Sequence, residues 1–488
     1  MGQFVILGTW LFEGFVRRDI GEKFSIYFKD RVAITISFIF FLHLIGLAYT
    51  SNMSWGLDLC RILLPFLLLP VVAPSIKRFS ESEWLGIMGL FVLSTLLTSV
   101  YGSIIHSGAE EWTFRQLSPF ISHIRMALMV AMSIFIMVWF FPKVNSVSKV
   151  IFTLVILWFL QYLDQMHSVQ GMVIVVLGVA IILLMRSYIL PDLWRISVRA
   201  LALVIPLMAL SYVAFCYWEY YDVEPIVFEE LETHSAGGEK YFHDTDDPII
   251  ENGRYVWTHV AWNELGGYWH TRSEIPFEEN DAKGQPISAT LIRYMASIQV
   301  TKDAEGLAKM TDQDIANVEA GIANIDMLDR SGLRNRVDQV FFELDRYRAT
   351  GDPSGNSLTM RFEFWRAAIG IIKQNFWTGV GSGDTPEAFE VQYEEIDSPL
   401  ATNMRFRAHN EYLTVFVSFG VFGFFAFMLA LFYPFTKLGL FRHGLALAFF
   451  LTVLISFLTD DTLERQAGTT FVAYFYCLFL FMEPRRTK

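Results

Sequence analysis

Runs of about 20 apolar residues recur along the chain, separated by short polar breaks. A run of that length crosses the hydrocarbon layer as a helix. The pattern predicts ten membrane helices, near 33–50, 57–74, 85–105, 118–141, 149–165, 168–185, 197–218, 409–433, 444–459 and 467–482. Between the seventh and the eighth lies a long stretch without such runs. The expected architecture is therefore an all-α polytopic integral membrane protein in three parts. About seven helices fill 1–218, a mostly helical loop domain fills 219–407, and about three helices fill 408–488. The opening run MGQFVILGTWLF is too short to span alone. No basic segment precedes it, unlike a cleaved export signal.

Inside the long loop the period changes. Ile315, Val318, Ile322, Ile325 and Leu328 recur at helical spacing, so 303–350 reads as helical and amphipathic, with a second such stretch from Leu333 to Tyr347. GDPSGNS (351–357) is a break with turn chemistry. RFEFWRAAIGIIKQNF then predicts a new amphipathic helix. The Gly-rich WTGVGSGDTPEAF follows, with Asp384 or Thr385 as N-cap before Pro386 and Glu387 in the first turn.

Charge orients these elements. Arg17, Arg18, Lys23, Lys29, Arg31, Lys77, Arg78, Lys143, Lys149, Arg186, Arg195, Arg199, Lys437, Arg442, Arg485, Arg486 and Lys488 all fall on one face if there are ten helices. The basic face is cytoplasmic, which puts both termini there. The opposite face takes Thr50–Trp55, Ser107–Leu117, Leu163–His167, Asp460–Arg465 and the long loop. That loop holds 34 acidic and 17 basic residues, a net of −17 within a chain whose net is −12, leaving +5 for the rest. So acidic a surface disfavours nucleic acid and anionic lipid headgroups.

Cys60, Cys216 and Cys477 lie in different predicted helices, with no spacing for a disulfide or a metal. No HExxH, GxSxG or metal-spaced cluster occurs, and neither a metal nor a cofactor is expected. GVGSGD (379–384) lacks the P-loop lysine and follows a helix, so it reads as a turn. Asp460-Asp461 could meet a metal or an ammonium group.

Three residues stand out. His409, expected within a turn of the outer surface, is either an interfacial histidine with a wet tip or a base for a sugar hydroxyl. Asn410 and Glu411 follow it, and Arg405 and Arg407 precede it. Arg361 opens a helix with Trp365 one turn on and Arg366 beyond. Its guanidinium is either a surface group paired with Glu363 or a bidentate phosphate ligand. Arg125, two residues after His123, falls about 10 Å into a helix counted from Ser118. At that depth an ionisable group lines a cavity. A later helix start would leave it at the interface.

The segment RFEFW, GVGSGD, HNEYLTVFVSFGVFG, from Arg361 to Gly423, resembles the shared domain of the O-antigen ligase and polymerase superfamily. An arginine, a tryptophan one turn later, a Gly-x-Gly turn, His-Asn and a Gly-x-x-Gly inside a helix recur in that order. The His-Asn-x9-Gly-x-x-Gly spacing matches the ligase form. HLIGLAYTSN and DLCRILLPFLLLP are similar in wording to members from the Bacteroidetes group.

The resemblance implies a GT-C type membrane glycosyltransferase of the bacterial inner membrane, with the large loop in the periplasm. Its donor would be a glycan on undecaprenyl pyrophosphate. Its acceptor would be a sugar hydroxyl of lipid A–core or another glycan, and membrane lipid its surroundings. His409 and Arg361 would be catalytic. Arg125, Arg366, Arg405, Arg407, Asn410 and Trp365 would bind substrate. Transfer would invert the anomeric centre without a metal or nucleotide. The superfamily also supplies an arginine from a Ser-Arg pair opening an earlier helix. MHSVQGMVIV has Ser168 and Gln170 there, so Arg125 or a loop arginine would take that role. A repeat-unit polymerase of the same superfamily is the first alternative. A transporter is the rival outside enzymes, although no inverted repeat or pair of broken helices appears.

Overall fold

The computed structural model describes residues 2–106, 114–246 and 248–484. Most of 107–117, together with Arg485, Arg486 and Lys488, lies outside the described residues. The chain is about 72% helical, an all-α polytopic membrane protein. Among the described residues, eight helices are long and apolar enough to cross a membrane: Arg31–Tyr49, Met53–Ser75, Glu81–Ile105, His123–Lys143, Ser146–Gln165, Val169–Ser187, Trp194–Tyr221 and Glu411–Lys437. The last two of the ten expected spans are the shorter apolar helices Gly444–Thr459 and Gln466–Met482. Both are packed inside the bundle, with Phe449, Phe450, Val453, Phe475 and Phe479 buried.

Two compact units form. One comprises Met1–Leu207, Arg361–Ser398 and Arg405–Lys488; the other comprises Met208–Met360 and Pro399–Met404. Residues 361–398 and 405–407 of the expected loop therefore pack with the first unit.

The first unit is a helix bundle whose ends fall into two sets. At one end Trp10 donates to Ser75, Phe79 N–H donates to the Met482 carbonyl, and His443 Nε2 lies 3.0 Å from Glu483. Arg78 lies there too, donating to the Leu480 and Glu483 carbonyls. At the other end Thr50 donates to Asp384, Tyr162 donates to the Leu117 carbonyl, and Arg125 pairs with Asp460.

One correction concerns Arg125. Its helix is His123–Phe140, not one starting at Ser118. Pro119 lacks an N–H, and Ser122 is extended at φ −63°, ψ 145°, so the helix starts after it. Arg125 sits in the first turn, yet it is buried.

The second unit has its own core around Trp269, Tyr294, Leu291 and Val318. Most of its helices are short. The helix expected through Leu328 stops at Glu319, because Gly321 turns left-handed at φ 74°. Ile322 and Ile325 are partly buried in the core beyond that break, and Leu328 is exposed. Gly332–Thr350 forms as the period required and ends on Gly351 at φ 70°. A two-residue hairpin, Ile250–Glu251 with Arg254–Tyr255, is its only ladder among the described residues.

Candidate active site

The helix Glu411–Lys437 is interrupted at Gly420, whose φ of 63° and ψ of −165° are open essentially to glycine alone. The break frees carbonyls, and the GVGSGD turn answers them. Val380 N–H donates to the Val417 carbonyl, Gly381 N–H donates to the Ser418 carbonyl, and Val421 N–H donates to the Phe376 carbonyl. A Cβ on Gly420 would collide with the Trp377 backbone, and one on Gly379 with that of Ser418 and Phe419. These glycines thus seat a turn on a broken helix. A Cβ on Gly423 would meet Phe419 one turn back on the same helix and would stand 3.4 Å from Leu42 on the first span.

The same turn is tied to the hairpin after the first span. Asp384 accepts from Ser51 N–H at 2.8 Å, Asn52 N–H at 2.7 Å and the Thr50 hydroxyl at 2.8 Å. It stands at the expected N-cap of Thr385–Glu395 but does not cap with its side chain. Burial pushes its carboxyl up, yet the two N–H donors and the hydroxyl outweigh that and hold it below the ordinary carboxylate range.

His409 precedes this helix in a left-handed conformation, φ 46°, and Asn410 caps it by accepting from Leu413 N–H. A non-glycine residue there costs about 1–3 kcal/mol, which marks a constrained position. The His409 side chain is 40% exposed, enough to be reached from outside. Its Nδ1 lies 3.5 Å from Asp460 Oδ1 and 3.9 Å from Asp461 Oδ2. Phe364 and Phe406 flank the ring.

Asp460 also meets Arg125 at 2.5 Å. Burial pushes the Asp460 carboxyl up, but the His409 hydrogen bond and the Arg125 charge together hold it below its ordinary value. Asp461 accepts from Asn410 N–H at 3.1 Å and from the Thr414 hydroxyl at 2.7 Å. The cation that meets the acidic pair is therefore a guanidinium of the protein itself. Arg361 donates to the Thr459 carbonyl at 3.3 Å, one residue before Asp460. The loop after Gly444–Thr459 thus collects His409, Asn410, Arg125 and Arg361 from three distant stretches of sequence.

Arg407 pairs with buried Glu464 and lies over the Trp55 ring, 5.1 Å from its centroid. Burial pushes the Glu464 carboxyl up against the pull of that guanidinium. Trp365 donates to the Ala408 carbonyl at 3.0 Å, so it holds the residue before His409. Arg366 and Arg405 have contacts elsewhere. Arg366 lies 3.4 Å from Glu363 and donates to the Ile396 carbonyl, and Arg405 sits over Tyr393. Ser168, at the place of the missing Ser-Arg pair, caps Val169–Ser187. Glu411, named in the sequence only as a neighbour of His409, and Glu464, which sequence reasoning missed, brace the loop: Glu411 accepts from Leu463 N–H at 2.9 Å. Their only signal was proximity to His409 and to Asp460-Asp461.

Residues 310–428 match the family model described as O-antigen ligase. The chain carries an O-antigen ligase domain. A comparison with curated proteins gives no match. The ligase domain contains Arg361, Trp365, His409, Gly420 and Gly423, while Arg125 and Asp460 lie outside it. The superfamily is one of enzymes acting on glycan and lipid substrates in membranes. His409, inside the matched residues, faces Asp460, which lies beyond them.

Proposed function

We propose that the chain is a glycosyltransferase moving an O-antigen-type glycan from undecaprenyl pyrophosphate to a sugar hydroxyl of lipid A–core, at the periplasmic face of the inner membrane. The observation that carries this reading is the half-exposed His409 facing buried Asp460 beside Arg361. Asp460 accepts from Nδ1–H of the imidazole and leaves Nε2 as the base, the arrangement in which a carboxylate sets the tautomer.

Nε2 takes the proton of the acceptor hydroxyl as its oxygen attacks the anomeric carbon. The bond from that carbon to the pyrophosphate oxygen breaks, and undecaprenyl pyrophosphate leaves with added negative charge. Arg361 stabilises that charge more in the transition state than in the ground state. A single displacement inverts the anomeric centre. Arg125 acts through Asp460 as a positioning residue, and Trp365, Asn410 and Arg407 hold the loop that carries His409. Residues 219–407 face the periplasm in this reading, and domains 1–218 and 408–488 carry the membrane helices. The acidic pair is occupied by Arg125, His409, Asn410 and Thr414, which supports a reaction without a metal.

The lipopolysaccharide of a deletion strain tests the reading. A ligase mutant lacks capped core and accumulates lipid-linked polymer. Core carrying a single repeat would make the chain a polymerase, and an unchanged profile would remove it from this chemistry.

A further inference from the structure

A cleft of about 1000 Å³ opens on the first unit, away from the His409 cluster, between the Tyr49–Ser54 turn and the helices Thr359–Gln374 and Thr385–Glu395. That is the upper end of the volumes of small-molecule pockets. Its lining includes Tyr49, Asn52, Asn375, Asp384, Glu387 and Gln392, and none of the lining residues is Lys, Arg or His. The carboxamides, hydroxyls and carboxylates alternate with apolar Met53, Ile371 and Val391, and a wall that holds carboxylates but no cation repels phosphate. It suits an uncharged polyol, whose hydroxyls both donate and accept.

The floor carries a second observation. Gln392 is 4% exposed, and its Oε1 is buried without a hydrogen-bond partner among the described residues. A buried, unanswered amide oxygen costs about 1–3 kcal/mol. The backbone is built to admit this side chain: a Cβ on Gly370 would stand 2.8 Å from the Gln392 amide. Asn52 donates to Glu387 at 2.5 Å and Gln374 donates to Glu395 at 2.7 Å, so the polar rim is held in place.

Position adds the last element. Arg361 opens the helix Thr359–Gln374, and Gln374 and Asn375 stand at its other end. Thirteen residues at 1.5 Å each separate them by about 20 Å. That is too far for the reacting sugar and suits sugars further along a chain.

We propose that this cleft is a glycan subsite, binding uncharged sugars remote from the bond being made; this rests on the transferase reading above. The sugars come from the carrier-linked polymer or from the acceptor oligosaccharide, and both present the same hydroxyls.

The test places p-azidophenylalanine at Val391, an exposed rim residue, in the full-length protein in cells, with Leu429 on an exposed helix face as control. After irradiation, Val391 adducts should carry carbohydrate. A ladder spaced by repeat units identifies the polymer as the source, and a single core-sized adduct identifies the acceptor. Adducts with lipid alone, or none beyond the Leu429 background, overturn the proposal. In reconstituted transfer, Gln392→Met and Asn375→Ala should each raise KM for a multi-repeat donor or for the acceptor about tenfold with kcat nearly unchanged. KM within twofold of wild type in both variants overturns it as well. Absence of transfer by the wild-type protein would strike the transferase reading instead, and the adducts would still report on the cleft.

Discussion

The Arg125 guanidinium meets the Asp460 carboxylate at 2.5 Å, and both side chains are less than one-tenth exposed. Neither charge is tolerable there alone. Removing one partner of a buried pair costs about 3–5 kcal/mol, whereas replacing both by apolar groups is often neutral. Arg125→Ala should therefore lower the melting temperature in detergent sharply. Arg125→Met combined with Asp460→Leu should recover most of it and still transfer glycan poorly, because His409 then lacks the nearer of its two carboxylates. Thermal melts beside transfer assays check this. Recovery of activity with stability would show that Asp460 serves folding alone.

The pH dependence of stability follows from Asp460 and Asp384, whose carboxyls are held below the ordinary value. A lowered folded pKa contributes stability that is fully present above the unfolded value, about 3.9 for Asp, and is lost as pH falls through the folded value. The detergent-solubilised protein should lose melting temperature below about pH 4. Asp384→Asn and Asp460→Asn should each flatten that acid limb. A limb of unchanged steepness in both would remove these carboxylates as its cause.

Gly420 provides a backbone test. Alanine there would have to adopt φ 63°, ψ −165° and would meet the Trp377 backbone. Gly420→Ala should cost at least about 1–3 kcal/mol, read as earlier thermal aggregation and faster proteolysis around 376–381. Gly439→Ala, with open space around its Cβ but φ 67°, should cost less. Equal melts for the two would mean that the turn does not depend on the break.

The membrane helices were legible because hydrophobic runs of that length have one stable use. His409, Asn410, Arg361 and Trp365 were legible through their spacing within the ligase domain. The partners of His409 were harder to read. Asp460-Asp461 was visible as an acidic pair, but its contact with Arg125 depends on how distant helix ends pack, which no local period encodes. The depth of Arg125 was misjudged because the apolar run begins at Pro119 while the helix begins at His123. The break at Gly420 was not legible, since a sequence shows a helix period but not a break whose freed carbonyls are answered by the turn Phe376–Gly381.

Topology is open to chemical labelling. Ser235 is buried and Ala236 beside it is exposed. Ala236→Cys should react with an impermeant maleimide in cells whose outer membrane alone is permeabilised. Reaction only after lysis of the inner membrane would put the 219–407 segment in the cytoplasm, with the proposed donor and acceptor on the wrong side.

The most direct measurement is transfer by purified protein in liposomes, from an undecaprenyl-pyrophosphate-linked glycan to lipid A–core, beside donor affinity at matched levels of folded protein. The wild type should form the capped product. His409→Ala should lose a factor of about 10²–10⁴ in rate while still binding donor. Arg361→Lys should lose about 10²–10³, and Arg361→Ala more, because a lysine keeps the charge without the bidentate fork. Wild-type turnover by both His409→Ala and Arg361→Ala would contradict the site and the mechanism together.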